Sequence, residues 1–302
     1  MSRKKPVLIT CIFCGGENVE SSGEDVFPLW LVKKLAYISR QRHPEHPPDY
    51  IEHTYLNIDD FSADMAGGQA GLRASDQRHR GSKPVGDKLP DVCLTCNGGW
   101  MSRLEQGVGL ILEGFIFGRE KVIDPYDQFV IATWITKTCL TYDASYRDRW
   151  ISSEMGSRRF YETGYPLFGV HAMIGHDPIH IPEGALVHGR GPRIRARRAD
   201  GSTFDAVHFA FQFDHLLIRA IINCFDEVSV SQRAEGLGLP VESPHYVEVW
   251  PRLRRVRWPS ASARVPPPPR DPTRRAKETM PSATDQPPVE PTHPPGAGSL
   301  PA

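Results

Sequence analysis

Two cysteine pairs constrain this chain more than anything else in it: Cys11-Ile12-Phe13-Cys14 near the start and Cys93-Leu94-Thr95-Cys96 far downstream. Each CxxC turn sets two sulfurs on the same side of a tight bend. Two such turns supply the four thiolates that a tetrahedral Zn2+ takes in a structural site. Gly15-Gly16 follows the first pair and Gly98-Gly99 the second, and glycine lets the backbone fold under a metal with positive φ. The spacing predicts a structural zinc site at Cys11, Cys14, Cys93 and Cys96. The long interval between the pairs also leaves room for reduced structural thiols. Disulfides fit less well, because nothing suggests export.

Composition narrows the options. Lys plus Arg and Asp plus Glu both number 36 in 302 residues, so the formal net charge is zero. No global field draws the chain to nucleic acid, and any such binding has to come from local patches. No apolar run reaches the ~18 residues of a membrane span. The apolar start, Val7-Leu8-Ile9, is too short for a signal peptide. The expectation is a cytoplasmic protein with reduced thiols and no membrane partner. A chain of this length holds two modest domains or one large one.

Residues 7–20 read as a strand, a knuckle and a return strand. Ser21-Ser22-Gly23 is a turn whose serines can cap the next helix, and residues 26–37 begin that helix with Pro28 in its first turn. Residues 40–90 are an insertion between the metal half-sites. It carries a short strand at 50–58 and His43, His46, His53 and His79, read as exposed loop histidines. Arg73, Arg78, Arg80, Lys83 and Lys88 make it locally basic, as a phosphate contact or a solvated loop. From 96 to 117, Trp100, Met101, Leu104, Val108, Ile111, Leu112 and Phe115 recur at helical spacing and form a core stripe. Asn97 stands where it can cap that helix.

Between the pairs lies Glu24-Asp25-Val26-Phe27-Pro28-Leu29-Trp30-Leu31, and the second pair runs on as Asn97-Gly98-Gly99-Trp100-Met101-Ser102-Arg103-Leu104-Glu105. This order of motifs resembles the HNH endonucleases in their zinc-stapled form. More narrowly, it resembles bacterial, mostly actinobacterial, proteins that carry CxFCG, EHVFPxWL and VCxxCNNGWMSxLE. The likeness covers roughly residues 8–115. It implies a ββα-metal or treble-clef module with a structural Zn2+ and a second, hard divalent cation such as Mg2+. On that resemblance Glu24 matches the acidic position, Asn97 the residue that orients the base, and Glu105, more weakly, the last residue on the helix. Glu24, Asp25 and Glu105 are then the candidate ligands of the divalent cation. Two positions depart from the pattern. Asp25 stands where the family has its general-base His, and Gly98 where it tends to have a second Asn. With a reference pKa of ~3.9, an aspartate is ionised at neutral pH and is a weak base, although it suits a hard cation.

A second domain is expected from Asp124-Pro125. Residues 129–142 read as an amphipathic helix with Phe129, Ala132, Ile135, Cys139 and Tyr142 on one face, residues 147–161 as another helix, and residues 167–174 as a strand. Residues 185–189 and 193–198 lead to a hairpin signal at Asp200-Gly201, after which Phe204, Val207, Phe209, Phe211 and Phe213 continue in near alternation. Residues 216–225 are a buried strand or helix, and 246–250 a last strand. Cys139 and Cys224 read as core residues. Arg193, Arg195 and Arg197 share one strand face, as a phosphate stripe or a charged edge. His171, His176 and His180 are spaced loosely enough to suggest a metal site, but they sit among Gly, Asp and Pro with no obvious carboxylate partner. From residue 259 proline-rich sequence takes over, and a disordered tail is expected.

The expected fold class is α+β. Residues 1–123 form the zinc-bound HNH-like module with its inserted loop 40–90, residues 124–258 an antiparallel sheet with helices, and residues 259–302 the tail. The expected function is a divergent, metal-dependent HNH-type endonuclease or a nuclease-derived protein that binds DNA. The alternative is a non-catalytic zinc-stapled module that engages a protein partner.

Overall fold

The structure, a computed structural model, describes residues 6–45, 51–55, 77–80, 88–89, 91–151, 154–166, 169–176, 186–197, 203–223, 246–251 and 253–258. All belong to one compact unit, Met1–Arg264; a second, Val265–Ala302, lies outside them. The expected tail, the Asp200-Gly201 turn, His46, His180 and Cys224 therefore fall outside the described residues.

The fold is mixed α and β, as the sequence implies. It is organised around one long helix, residues Pro125–Ala144. Its start is written locally. The Asp124 carboxylate accepts from the Asp127 N–H at 2.8 Å, and Pro125 occupies the first turn, where its missing N–H costs nothing. The sequence suggests an amphipathic helix, but the observed one is enclosed on all sides: Gln128 and every residue from Ile131 to Ala144 are buried. A helix buried all round has to satisfy its own polar groups. Thr133 and Thr136 donate to the carbonyls of Phe129 and Ala132 at 2.7 and 2.8 Å. The Asp143 carboxylate accepts from the backbone of Trp150 and Ile151 and from Arg190, whose guanidinium lies over the rings of Tyr146 and Trp150. Lys137 is the remaining charge.

One side of this helix faces a seven-stranded sheet. Its strands are β4 (Glu52–Tyr55), β5 (Gln77–Arg80), β8 (Val170–His176), β9 (Leu186–Arg197), β10 (Thr203–Phe213), β11 (Leu216–Asn223) and β12 (Tyr246–Trp250), in the spatial order β12-β8-β11-β10-β9-β4-β5. All neighbours are antiparallel except β4 and β9. The alternation in β10 places Val207, Phe209, Phe211 and Phe213 on the face toward the helix, where Phe27 packs on Phe211 and Phe213 at 5.5 and 5.6 Å. The intervening Ala206, His208, Ala210 and Gln212 are buried too, so the opposite face is also shielded. There His171 pairs with Glu248 at 2.9 Å and Arg219 lies over the Tyr246 ring. Arg193, Arg195 and Arg197 take alternate register positions opposite Val207, Asp205 and Thr203.

The remaining elements close around the same core. They are β1 (Leu8–Ile9), β2 (Val19–Glu20), β3 (Glu24–Asp25), β6 (Lys88–Leu89), β7 (Lys121–Ile123) and β13 (Val256–Trp258), with helices α1 (Leu29–Arg42), α2 (Leu94–Cys96) and α3 (Ser102–Ile116). The long helix is α4, and Glu154–Thr163 is α5. Helix α3 ends on Gly118, whose φ of +69° is open to glycine, and the Arg119 N–H caps the carbonyl of Gly114. The division expected at residue 123 is crossed three times. Strands β4 and β5 from the inserted loop join the sheet, β13 pairs with β7, and α3 packs on α4.

Two measurements test this packing. Phe27→Ala removes a ring held among Phe211, Phe213, Tyr142 and His188 and lowers unfolding free energy by about 3–5 kcal/mol in urea, whereas an exposed Leu110→Ala changes it little. The second concerns His208. Burial, and then the nearby Arg219 charge, push its pKa well below 6.5, so the unfolded chain takes up a proton that the folded chain refuses. The stability due to neutral His208 is complete above pH 6.5 and is lost as pH falls. His208→Gln flattens that acid-side loss in urea unfolding across the pH range; an unchanged slope would show that the imidazole charges in place.

Candidate metal centre

The first knuckle is carried on a hairpin, in which β1 and β2 pair Leu8 with Glu20 and Ile9 with Val19. Between them the Cys11 N–H donates to Gly16 O and the Gly15 N–H to Cys11 O, both at 2.9 Å. Gly15 sits at φ +69°, the conformation that the turn requires and that a Cβ disfavours. The second knuckle is carried on a helix start. The Cys96 N–H donates to Cys93 Sγ at 3.4 Å, and the Asn97 N–H donates to Cys93 O at 3.0 Å. The glycines after it do not repeat the role of Gly15. Gly98 and Gly99 have no positive φ and lie within a π-helical stretch, Asn97–Met101, that kinks the chain into α3.

Backbone bonds bring the two knuckles together as well. The Ile12 N–H donates to Asp91 O at 3.0 Å, the Ser22 N–H to Val92 O at 2.8 Å, and Ser21 bridges to Cys93. The Ser22 hydroxyl also donates to Val92 O. Neither serine caps α1, whose N-cap residue is Pro28. The serines serve the junction of the half-sites instead.

The four sulfurs of Cys11, Cys14, Cys93 and Cys96 all lie within 4.8 Å of one another, and Cys14 Sγ is 3.8 Å from Cys93 Sγ. Zn–S bonds of ~2.3 Å give a tetrahedron with edges of about 3.8 Å. The donor set and the spacing fit a metal ion such as zinc. A hydrogen bond with Cys96 holds the Cys11 thiol far below its ordinary range, at about 4. The same contact and burial raise Cys96, and burial raises Cys14. An aromatic wall closes one side: Trp100 meets Phe13 edge-on at 5.3 Å and Phe160 of α5 at 5.7 Å.

The acidic residues are arranged differently. Strand β3 pairs Glu24 with Leu89 and Asp25 with Lys88, and successive strand residues point to opposite faces. Glu24 is buried and Asp25 half-buried. Both Glu24 Oε1 and Glu105 Oε1 lie 2.7 Å from Nζ of Lys137, whose side chain is 0% exposed. Burial first, and then the Glu105 and Asp25 charges, raise the Glu24 pKa against the pull of the ammonium. Burial alone would depress Lys137, but the two carboxylates outweigh it and hold the ammonium above its usual value. Among the described residues the four cysteines are the one group of three or more metal-ligating side chains within coordination reach; Glu24, Asp25 and Glu105 do not form another, nor do His171 and His176.

Sequence reasoning placed the four sulfurs but missed Lys137. The available signal was a single charge in the otherwise uncharged run 129–142. The partners of Lys137 lie in distant segments, so the pairing itself was not readable.

No protein-family model matches this chain, and no curated protein or solved structure shows significant similarity to it.

Purified protein is expected to hold one Zn2+ per chain by elemental analysis, and Cys93→Ser to lose it. Stripping the metal with a chelator exposes Trp100 and red-shifts its emission, a change that Trp100→Phe removes. Stoichiometric zinc in the Cys93→Ser protein would rule out the four-sulfur site.

Proposed function

We propose that this chain is a nuclease-derived, nucleic-acid-binding protein with a structural zinc in a treble-clef-type module. The observation that carries the reading is the convergence of both knuckles on one set of four sulfurs. That convergence hangs the Glu24–Asp25 strand from one knuckle and the Asn97 helix start from the other, in the order that the HNH resemblance implies. Zinc is the metal of choice for soft, tetrahedral sulfur donors. Its role is to hold two remote segments in register, since all four positions are filled by protein and none is left for water or substrate.

Basic groups stand beside the knuckles. The Arg158 guanidinium, which also pairs with Glu162, approaches Gly15, and Arg103 and Arg159 are exposed on helices beside the same centre. Such local positive charge suits a phosphate backbone even in a chain of zero net charge. Asp25 in the place of the general base argues for binding rather than hydrolysis, because a carboxylate is intrinsically a weaker base than an imidazole.

The zinc-loaded protein is expected to raise the anisotropy of a labelled DNA duplex at low salt, with affinity falling as salt rises, and to leave supercoiled plasmid intact with Mg2+. Cys93→Ser abolishes the binding. Nicking by the wild type would favour an active metal-dependent endonuclease instead. Absence of binding at low salt would favour the module that engages a protein partner.

A further inference from the structure

We infer that the ammonium of Lys137 occupies the position between Glu24 and Glu105 where a carboxylate pair would bind a divalent cation, so that this acidic centre runs on an internal lysine and takes no divalent metal. Both Oε1···Nζ distances are 2.7 Å. A Mg2+ ion bonded to the same oxygens would sit at ~2.0–2.1 Å from each, in the volume that Nζ fills. Two cations do not share that volume.

Solvent access points the same way. Mg2+ binds in near-octahedral geometry and keeps several of its waters. Here the Lys137 side chain is 0% exposed, that of Glu24 6% and that of Glu105 15%, so a retained water shell has nowhere to stand. Nor can the lysine swing aside. Its side chain is 0% exposed, so an ammonium turned away would lose both carboxylates with no water to replace them.

The third acidic residue does not complete a ligand set. Asp25 follows Glu24 on the same strand and points to the other face. The three carboxylates accordingly do not come within coordination reach of one another. The chain thus separates its cations by hardness: a soft metal fits the four sulfurs, and a lysine serves the hard oxygens. This exclusion of metal is independent of nucleic-acid binding, and a chain that ignores DNA would show the same response to Mn2+.

The test is binding of Mn2+, an oxygen-seeking probe for Mg2+, followed by the loss of the free-ion EPR signal with zinc-loaded full-length protein. The wild type is expected to bind no Mn2+, and its melting temperature not to respond to Mn2+ or Mg2+. Lys137→Ala is expected to bind one Mn2+ per chain and to regain melting temperature when Mn2+ is added; the further change Glu24→Gln removes both effects. Binding of Mn2+ to the wild type that Glu24→Gln or Glu105→Gln abolishes would overturn the inference, whether or not the alanine variant folds. So would Mn2+ binding to Lys137→Ala that survives Glu24→Gln. A direct reading on the wild type uses the 15N signal of the Lys137 ammonium. It stays hydrogen-bonded and unshifted in millimolar Mg2+ if the lysine holds the position, and is displaced if the metal does.

Discussion

A helix enclosed on every side can carry charge in its interior only where that charge is met, and the ammonium of Lys137 is met twice. Glu24 comes from the strand that follows the first knuckle, and Glu105 from the helix that follows the second. The lysine comes from α4, which packs on the sheet. One buried cation therefore ties together three stretches that are far apart in sequence. The tie is conditional. Two carboxylates around one ammonium hold a proton-dependent charge balance in a medium that penalises any unpaired ion, and removing one member strands the others. Burial pushes Glu24 toward its protonated form while the carboxylates hold Lys137 charged.

The sulfur centre fastens the same two segments by other means. Backbone hydrogen bonds from Ile12 and Ser22 to Asp91 and Val92 already hold the knuckles side by side. A metal held by the four sulfurs would add cohesion to a junction that the chain has begun to assemble. The wall of Phe13, Trp100 and Phe160 brings α5 onto the knuckles and keeps water from one side of the sulfurs. The metal centre and the lysine triad are thus two fastenings of one joint. One offers soft donors and the other hard donors.

The parts that were legible from sequence are those whose signals are local. Cys11, Cys14, Cys93 and Cys96 declare themselves by spacing, because a CxxC turn aims its sulfurs whatever surrounds it. The alternation of Phe209, Phe211 and Phe213 and the helical recurrence from Met101 to Phe115 likewise come from backbone periodicity. The parts that were not legible depend on contacts across a gap in the chain. The run from Phe129 to Tyr142 reads as amphipathic, yet periodicity only describes which residues could face a core. It does not count how many surfaces press on a helix, and here α3 and the sheet leave α4 no solvent face. A strand was legible at 50–58, where β4 stands, but its parallel pairing with β9 was not, since register between remote strands is decided by packing.

By itself, the amino-acid sequence determined that two thiol pairs would stand on tight turns, each able to supply half of a four-sulfur cluster, and that strands and helices would mix in an α+β chain. Both obey rules that act within a few residues. Only the tertiary structure decided that an ammonium would stand between Glu24 and Glu105 and that Asp25 would point away from them. That outcome turns on the desolvation of a charge inside an enclosed helix. Desolvation is a property of all the surfaces that meet at a point in space, and no single segment carries it.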